Sequence, residues 1–178
     1  EYSALEMHVR SRNLKGLDKV NERINRCFEA AAMAIGCDVS ITEMPGYLPG
    51  TAYENISEVC REVSEGLVGA GRVAYGSSAG AASDFGDVTQ IMTTLKIATG
   101  GIVGGLHKKD FRLVDFEKAC ILPAKVLGAT ILKLLSDDGR LAKELAANNK
   151  PALTVESYLE LIAKYSQNYQ YHYMSSAH

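Results

Sequence analysis

The stretch ALEMHVRSRNLKGLDKVNERINRCFEAAAMAIGCDVSITE, residues 4–43, decides the fold class. Leu5, Met7 and Val9 alternate with Glu6, His8 and Arg10, the period-2 pattern of a half-buried strand. Leu14, Leu17, Val20, Ile24, Cys27, Phe28, Ala31 and Ile35 then step by three and four, which predicts one continuous amphipathic helix. Asn13 is placed to cap that helix and Gly36 to end it. Cys37, Val39 and Ile41 alternate with Asp38, Ser40 and Thr42 as a second strand. Strand, helix and strand make half of a ferredoxin-like unit. Such a half buries little apolar area and leaves its sheet edges open, so it is expected to continue in further sequence or to pair with another chain.

Outward from this unit, MPGYLPG (44–50) holds two of the four prolines and two glycines, the composition of a turn or linker. The domain boundary is set there, between 1–50 and 51–178. Ile56, Val59, Cys60 and Val63 predict a helix ending near Gly66, and 72–75 a short strand. Residues 90–97 and 101–106 read as two further strands, the second broken by glycine. From 114 to 135 the chain is mostly apolar and helical, kinked or restarted at Pro123, and a helix apolar nearly all round is expected to be buried. Two shorter amphipathic helices follow Arg140, separated by Pro151, the second capped by Thr154 with Glu156 and Ser157. The class is α/β.

Composition removes several functions. A hydrophobic share of 47% suffices for a core, while a net charge of -2 gives no basic footprint for nucleic acid. No apolar run approaches the roughly 20 residues of a membrane span, and the opening residues read as strand and not as a secretion signal. A soluble cytoplasmic protein is expected. The four cysteines, Cys27, Cys37, Cys60 and Cys120, have no CxxC spacing and read as buried free thiols.

Residues suited to chemistry gather between 76 and 107, GSSAGAASDFGDVTQIMTTLKIATGGIVGGLH. His107 follows two glycine pairs, which let other groups approach its ring closely, as a metal ligand requires. Asp84 and Asp87, at i and i+3 around Gly86, would share a face of a helical first turn and suit its positive end. One imidazole and two carboxylates fall short of the three or four protein ligands a metal site needs, so the segment is expected to complete a site begun elsewhere. A competing motif is Gly76-Ser77-Ser78-Ala79-Gly80, which fits the GxSxG elbow of serine hydrolases; Ser78 would then need Asp115 or Asp137 with His172 as partners. Otherwise His172 is a tail residue.

Three blocks resemble the C-terminal half of the aminoacylase/carboxypeptidase metallopeptidase family, in its amidohydrolase branch of p-aminobenzoyl-glutamate hydrolases and dipeptidases. The first is HVRSRNLKGLDKVNERINRCFEAAAMAIGCDVSI, similar to the second half of that family's inserted lid or dimerisation domain. The second is PGYLPG with the helix that follows, and the third ASDFGDVTQIMTTLKI with GLHKKDF, similar to the family's S-T-D-x-G-[DN]-V-S block and final histidine. Family members usually carry proline where this chain has Thr93. The resemblance implies a partial ferredoxin-like lid followed by the C-terminal part of an α/β zinc-peptidase-like catalytic domain. It implies His107 as a metal ligand for Zn, Mn, Co or Ni, and Ser83, Asp84, Gly86 and Asp87 in the loop lining the substrate cleft. It also implies a homodimer formed through the lid and a small amide substrate. The family's remaining ligands and catalytic glutamate belong to an N-terminal half with no counterpart in this sequence, so the chain alone is expected to be inactive.

Overall fold

The computed structural model describes residues 2–74 and 83–174. These form a mixed α/β chain, mostly helical, with two small antiparallel sheets. The chain divides into two units, the first made of 2–51, 83–92 and 151–174, the second of 52–74 and 93–150.

In the first unit, α1 (Leu14–Ile35) is the single helix its periodicity predicts. The Asn13 side chain accepts the Gly16 amide at 2.8 Å, and Gly36 closes the helix in the left-handed region at φ 68°. Strand β1 (Val39–Thr42) follows, with Val39 and Ile41 half-buried and Ser40 and Thr42 exposed. Its partner is not residues 4–10. It pairs antiparallel with the C-terminal strand β4 (Asn168–Tyr171), Val39 facing Tyr171 and Thr42 facing Asn168. The expected N-terminal strand is absent: alternation marks a candidate strand, but a strand exists only where a neighbour takes its backbone groups, and Leu5 stays 70% exposed. Glu43 fastens the arrangement by accepting from Asn21 and Asn25 on α1 and from the Tyr169 hydroxyl on β4. Helix α5 (Val155–Lys164) carries the predicted cap, with Thr154 and Ser157 exchanging side-chain and backbone bonds. At its end Tyr165 and Lys164 both donate to Asp18 of α1.

The expected strand at 90–97 is also a correction. Helix α3 (Asp84–Ile91) runs through Gln90 and Ile91, and 93–97 joins no ladder. β-branched residues favoured the strand reading, but two acids in the first turn favour a helix start, and tertiary bonds from Thr89 and Gln90 hold the helix in place.

In the second unit, α2 (Glu54–Val68) continues through Gly66 and ends at Gly69, which takes φ 96°. Residues 72–74 form no strand, and Tyr75 lies outside the described residues. The glycine-broken strand at 101–106 shrinks to β2 (Ile102–Val103), paired with β3 (Arg112–Leu113). A single π-helical turn, Glu117–Ile121, leads into α4 (Leu122–Asn148), the restart expected at Pro123. Helix α4 breaks at 136–139, where Asp137, Asp138 and Gly139 all take positive φ. The unit's buried residues include Tyr53, Val59, Cys60, Val126, Thr130 and Leu145, the Thr130 hydroxyl donating to the Val126 carbonyl at 2.7 Å. The expectation that α4 is buried all round fails: Leu127, Ile131, Leu132 and Leu135 are exposed. The stretch Glu117–Asn148 is apolar and long enough to cross a membrane by length and composition alone. Of the four free cysteines only Cys60 is buried; Cys27 and Cys120 are exposed because the faces that carry them are uncovered.

The end of the described chain is held by one carboxylate. Asp38 accepts from the His172 ring at 2.9 Å and from the Met174 and Tyr173 amides at 3.0 and 2.8 Å. These bonds, His172 first, lower its pKa from 3.8 to about 2. A depressed folded-state pKa means that the clamp is fully formed above pH about 4 and is lost as pH falls through about 2. The Tyr173 and Met174 amide resonances are therefore expected to titrate together with a midpoint near 2, and Asp38→Asn to abolish that titration, as NMR would record.

Candidate functional site

In the first unit an open cleft of about 500 Å³ is lined by His8, Val9, Arg10, Pro45, Gly46, Tyr47, Asp87, Tyr158 and Ile162. That volume lies in the range of small-ligand sites. The wall that fixes its shape is the join between α3 and the PGYLPG segment. Gly86 is buried against Leu48, and a Cβ on Gly86 would collide with the Leu48 carbonyl oxygen. Asp87 accepts the Leu48 amide at 3.1 Å, Thr89 the Thr51 amide at 2.8 Å, and the Gln90 amide group donates to the Pro49 carbonyl. A proline-rich segment has few amides and many carbonyls to satisfy, and α3 supplies both kinds of partner.

Asp87 is thereby fixed with one oxygen toward Leu48. Tyr158 of α5 shares a hydrogen bond with it, and burial, followed by the Asp87 charge, pushes the Tyr158 phenol up from its ordinary value. The phenol thus stays protonated as a donor. His8 and Arg10, both exposed, add polar side chains to the lining.

The expected residues fall into two groups. Ser83, Asp84, Gly86 and Asp87 lie together at the start of α3, with Ser83 in the N-cap position and the Asp84 carboxylate accepting the Phe85 amide at 2.8 Å. Gly86 and Asp87 belong to the cleft wall, while Asp84 is exposed. His107 belongs to the second unit, exposed in the turn between β2 and β3. Its φ is 60°, a left-handed conformation that costs a non-glycine residue about 1–2 kcal/mol. The turn is pinned by the Lys108 amide on the Gly105 carbonyl at 3.0 Å and by Gly104, whose φ of 91° lets it lie against the Asp110 backbone. Asp137 and Asp138 also take positive φ, and aspartate and histidine adopt that conformation more readily than most residues.

Among the described residues no three His, Cys, Asp or Glu side chains gather to hold an ion. Of the serine-hydrolase residues, Ser78 lies outside the described residues, His172 is engaged by Asp38, Asp115 accepts the Lys118 amide, and Asp137 sits in the break of α4. Sequence reasoning missed His8, Arg10, Tyr47 and Tyr158. The alternation at 4–10 marks His8 and Arg10 as a shared polar face, but nothing local joins Tyr158 to Asp87. Comparison with family models, curated proteins and solved structures finds no match.

Gly86→Ala is expected to destabilise the first unit by about 1–3 kcal/mol through overpacking. Asp87→Ala costs a similar amount because the Leu48 amide loses its acceptor, whereas Asp87→Asn retains the oxygen and costs less. Urea unfolding of the three variants measures the order. At the hairpin, His107→Gly is expected to be nearly neutral, and His107→Val to cost about 1–2 kcal/mol, since a β-branched residue tolerates positive φ worst.

Proposed function

We propose that this chain is the C-terminal part of a metal-dependent amidohydrolase or metallopeptidase, acting on an N-acyl amino acid or a dipeptide-like substrate. The observation that carries this reading is convergence. The three blocks that bear the family resemblance each contribute residues to one cleft, at positions some 35 to 80 residues apart: His8, Val9 and Arg10 from the first, Pro45, Gly46 and Tyr47 from the second, Asp87 from the third. Tyr158 and Ile162 close it from α5.

The chemistry of the lining suits such a substrate. The Arg10 guanidinium can pair with a carboxylate in a bidentate fork. The Tyr158 phenol donates to Asp87 and keeps its oxygen as an acceptor, and Asp87, anchored on Leu48, accepts an amide or amine N–H. The chain's own work is to bind and orient the scissile amide, which contributes by positioning. His107 supplies one neutral imidazole toward Zn, Mn, Co or Ni. The remaining ligands and the general base come, on this reading, from a segment outside this chain. Helix α1 and strand β1 are what it holds of the ferredoxin-like lid, and 51–178 the part it holds of the catalytic domain.

The test uses the purified chain with N-acetylglutamate. Binding is expected to shift the Val9, Gly46 and Asp87 amide resonances, to weaken by tenfold or more, about 1.4 kcal/mol, in Arg10→Ala, and to give no hydrolysis. Adding the polypeptide encoded upstream of Glu1, with Zn or Mn, is expected to restore turnover, which His107→Ala abolishes. Metal-dependent turnover by the chain alone overturns the division of labour. Fluorophosphonate labelling of Ser78 would replace the proposal by a serine hydrolase, and resonances unmoved by the ligand would remove the cleft from it.

A further inference from the structure

Helix α4 is apolar on both sides. Val126 and Thr130 are buried on the side that packs on α2. On the other side Ala124, Leu127, Gly128, Ile131, Leu132 and Leu135 recur at helical spacing and all are exposed, one stripe about three turns long. The lysines that flank it are committed elsewhere, Lys125 to Glu117 at 2.8 Å and Lys133 to Glu62. No charge interrupts the stripe.

Its four large side chains are well exposed, Leu127 at 41%, Ile131 at 53%, Leu132 at 74% and Leu135 at 62%.

We propose that the stripe is a self-docking surface on which two copies of the chain pair antiparallel along α4, about a two-fold axis between positions 129 and 130. The order of sizes selects a second copy. Antiparallel pairing sets Ala124 against Leu135 and Gly128 against Ile131 of the other copy, so each small residue receives a large one. The hollow at Gly128 is open: apart from its chain neighbours and the helix's own backbone, nothing lies within 4 Å of where a Cβ would stand. Parallel pairing would set the two hollows facing each other and leave them unfilled. A lipid surface would be indifferent to the order of sizes.

Sedimentation equilibrium of the whole chain is the test, and it does not depend on the enzymatic reading. The expected result is a reversible association to twice 19.2 kDa. Leu132→Glu and Gly128→Leu should each weaken it more than about tenfold, the first by charge and the second by filling the hollow. Leu132 is 74% exposed, so an unchanged far-ultraviolet dichroism spectrum separates lost pairing from lost folding. Leu5→Lys, at the exposed N-terminal segment, should leave the association intact. A monomer at every concentration overturns the proposal. So does a dimer that Leu5→Lys breaks and Leu132→Glu spares, which would place pairing in the lid. Co-sedimentation with phosphatidylcholine vesicles by a chain that is monomeric without them overturns it in favour of a membrane.

Discussion

The first unit depends on one close approach, the first turn of α3 against the backbone of 48–51, and that approach exists because residue 86 has no Cβ. Every other bond of the join follows from it. With α3 seated there, Asp87 reaches the Leu48 amide, Thr89 the Thr51 amide and Gln90 the Pro49 carbonyl, and Leu48 becomes almost completely buried. The Leu153 amide then donates to the Gln90 carbonyl, which brings the segment leading into α5 to the same place. Glycine lowers helix propensity by about 1 kcal/mol relative to alanine. Here that cost is offset by a polar join no larger residue permits.

Local patterns were legible where local physics decides them. The whole of α1 with both caps, strand β1, the restart at Pro123 and the capping box of α5 each rest on residues within a few positions of one another. Strand pairing was not legible, because the partner of Val39 is Tyr171 and nothing near either residue names the other. The alternation at 5–9 was real but found no ladder, and the same pattern left His8 and Arg10 on a polar face that the cleft uses. Residues 90–97 failed for a related reason. Their β-branched content is a weak preference, and it was overridden by the bonds Thr89 and Gln90 make to a segment some 40 residues earlier. The acids at 84 and 87 were read correctly as a first-turn pair, yet their division of labour was hidden, since only the second meets Leu48.

Among its described residues the second unit is one layer short. Helices α2 and α4 bury Val59, Cys60, Val126 and Thr130 between them, while the far stripe of α4 and both two-residue strands remain exposed. Domains are stable as two or three packed layers, and a two-stranded ladder of this length has little stability of its own. The surplus apolar surface is therefore a property of the unit's architecture and not of single misplaced side chains. Burial of α4 was the sequence expectation because hydropathy reports what a residue prefers, and it carries no information about whether the covering partner is in the same chain.

The same incompleteness governs the chemistry. A divalent ion needs three or four protein donors, and a lone imidazole on an exposed turn competes poorly with water. Nevertheless His107 is held at φ 60°, three residues after Gly104, whose own positive φ lets it lie against the Asp110 backbone. If the turn were selected only for closure, glycine at 107 would relieve the strain and lose nothing. A histidine at that position therefore keeps an imidazole on the turn at a conformational cost that glycine would not carry. Asp87 and Tyr158 are likewise held in place on the cleft wall, by the Leu48 amide and by each other. At the turn and at the cleft alike, short-range bonds set the side chain in place, and among the described residues no three His, Cys, Asp or Glu side chains gather to hold an ion.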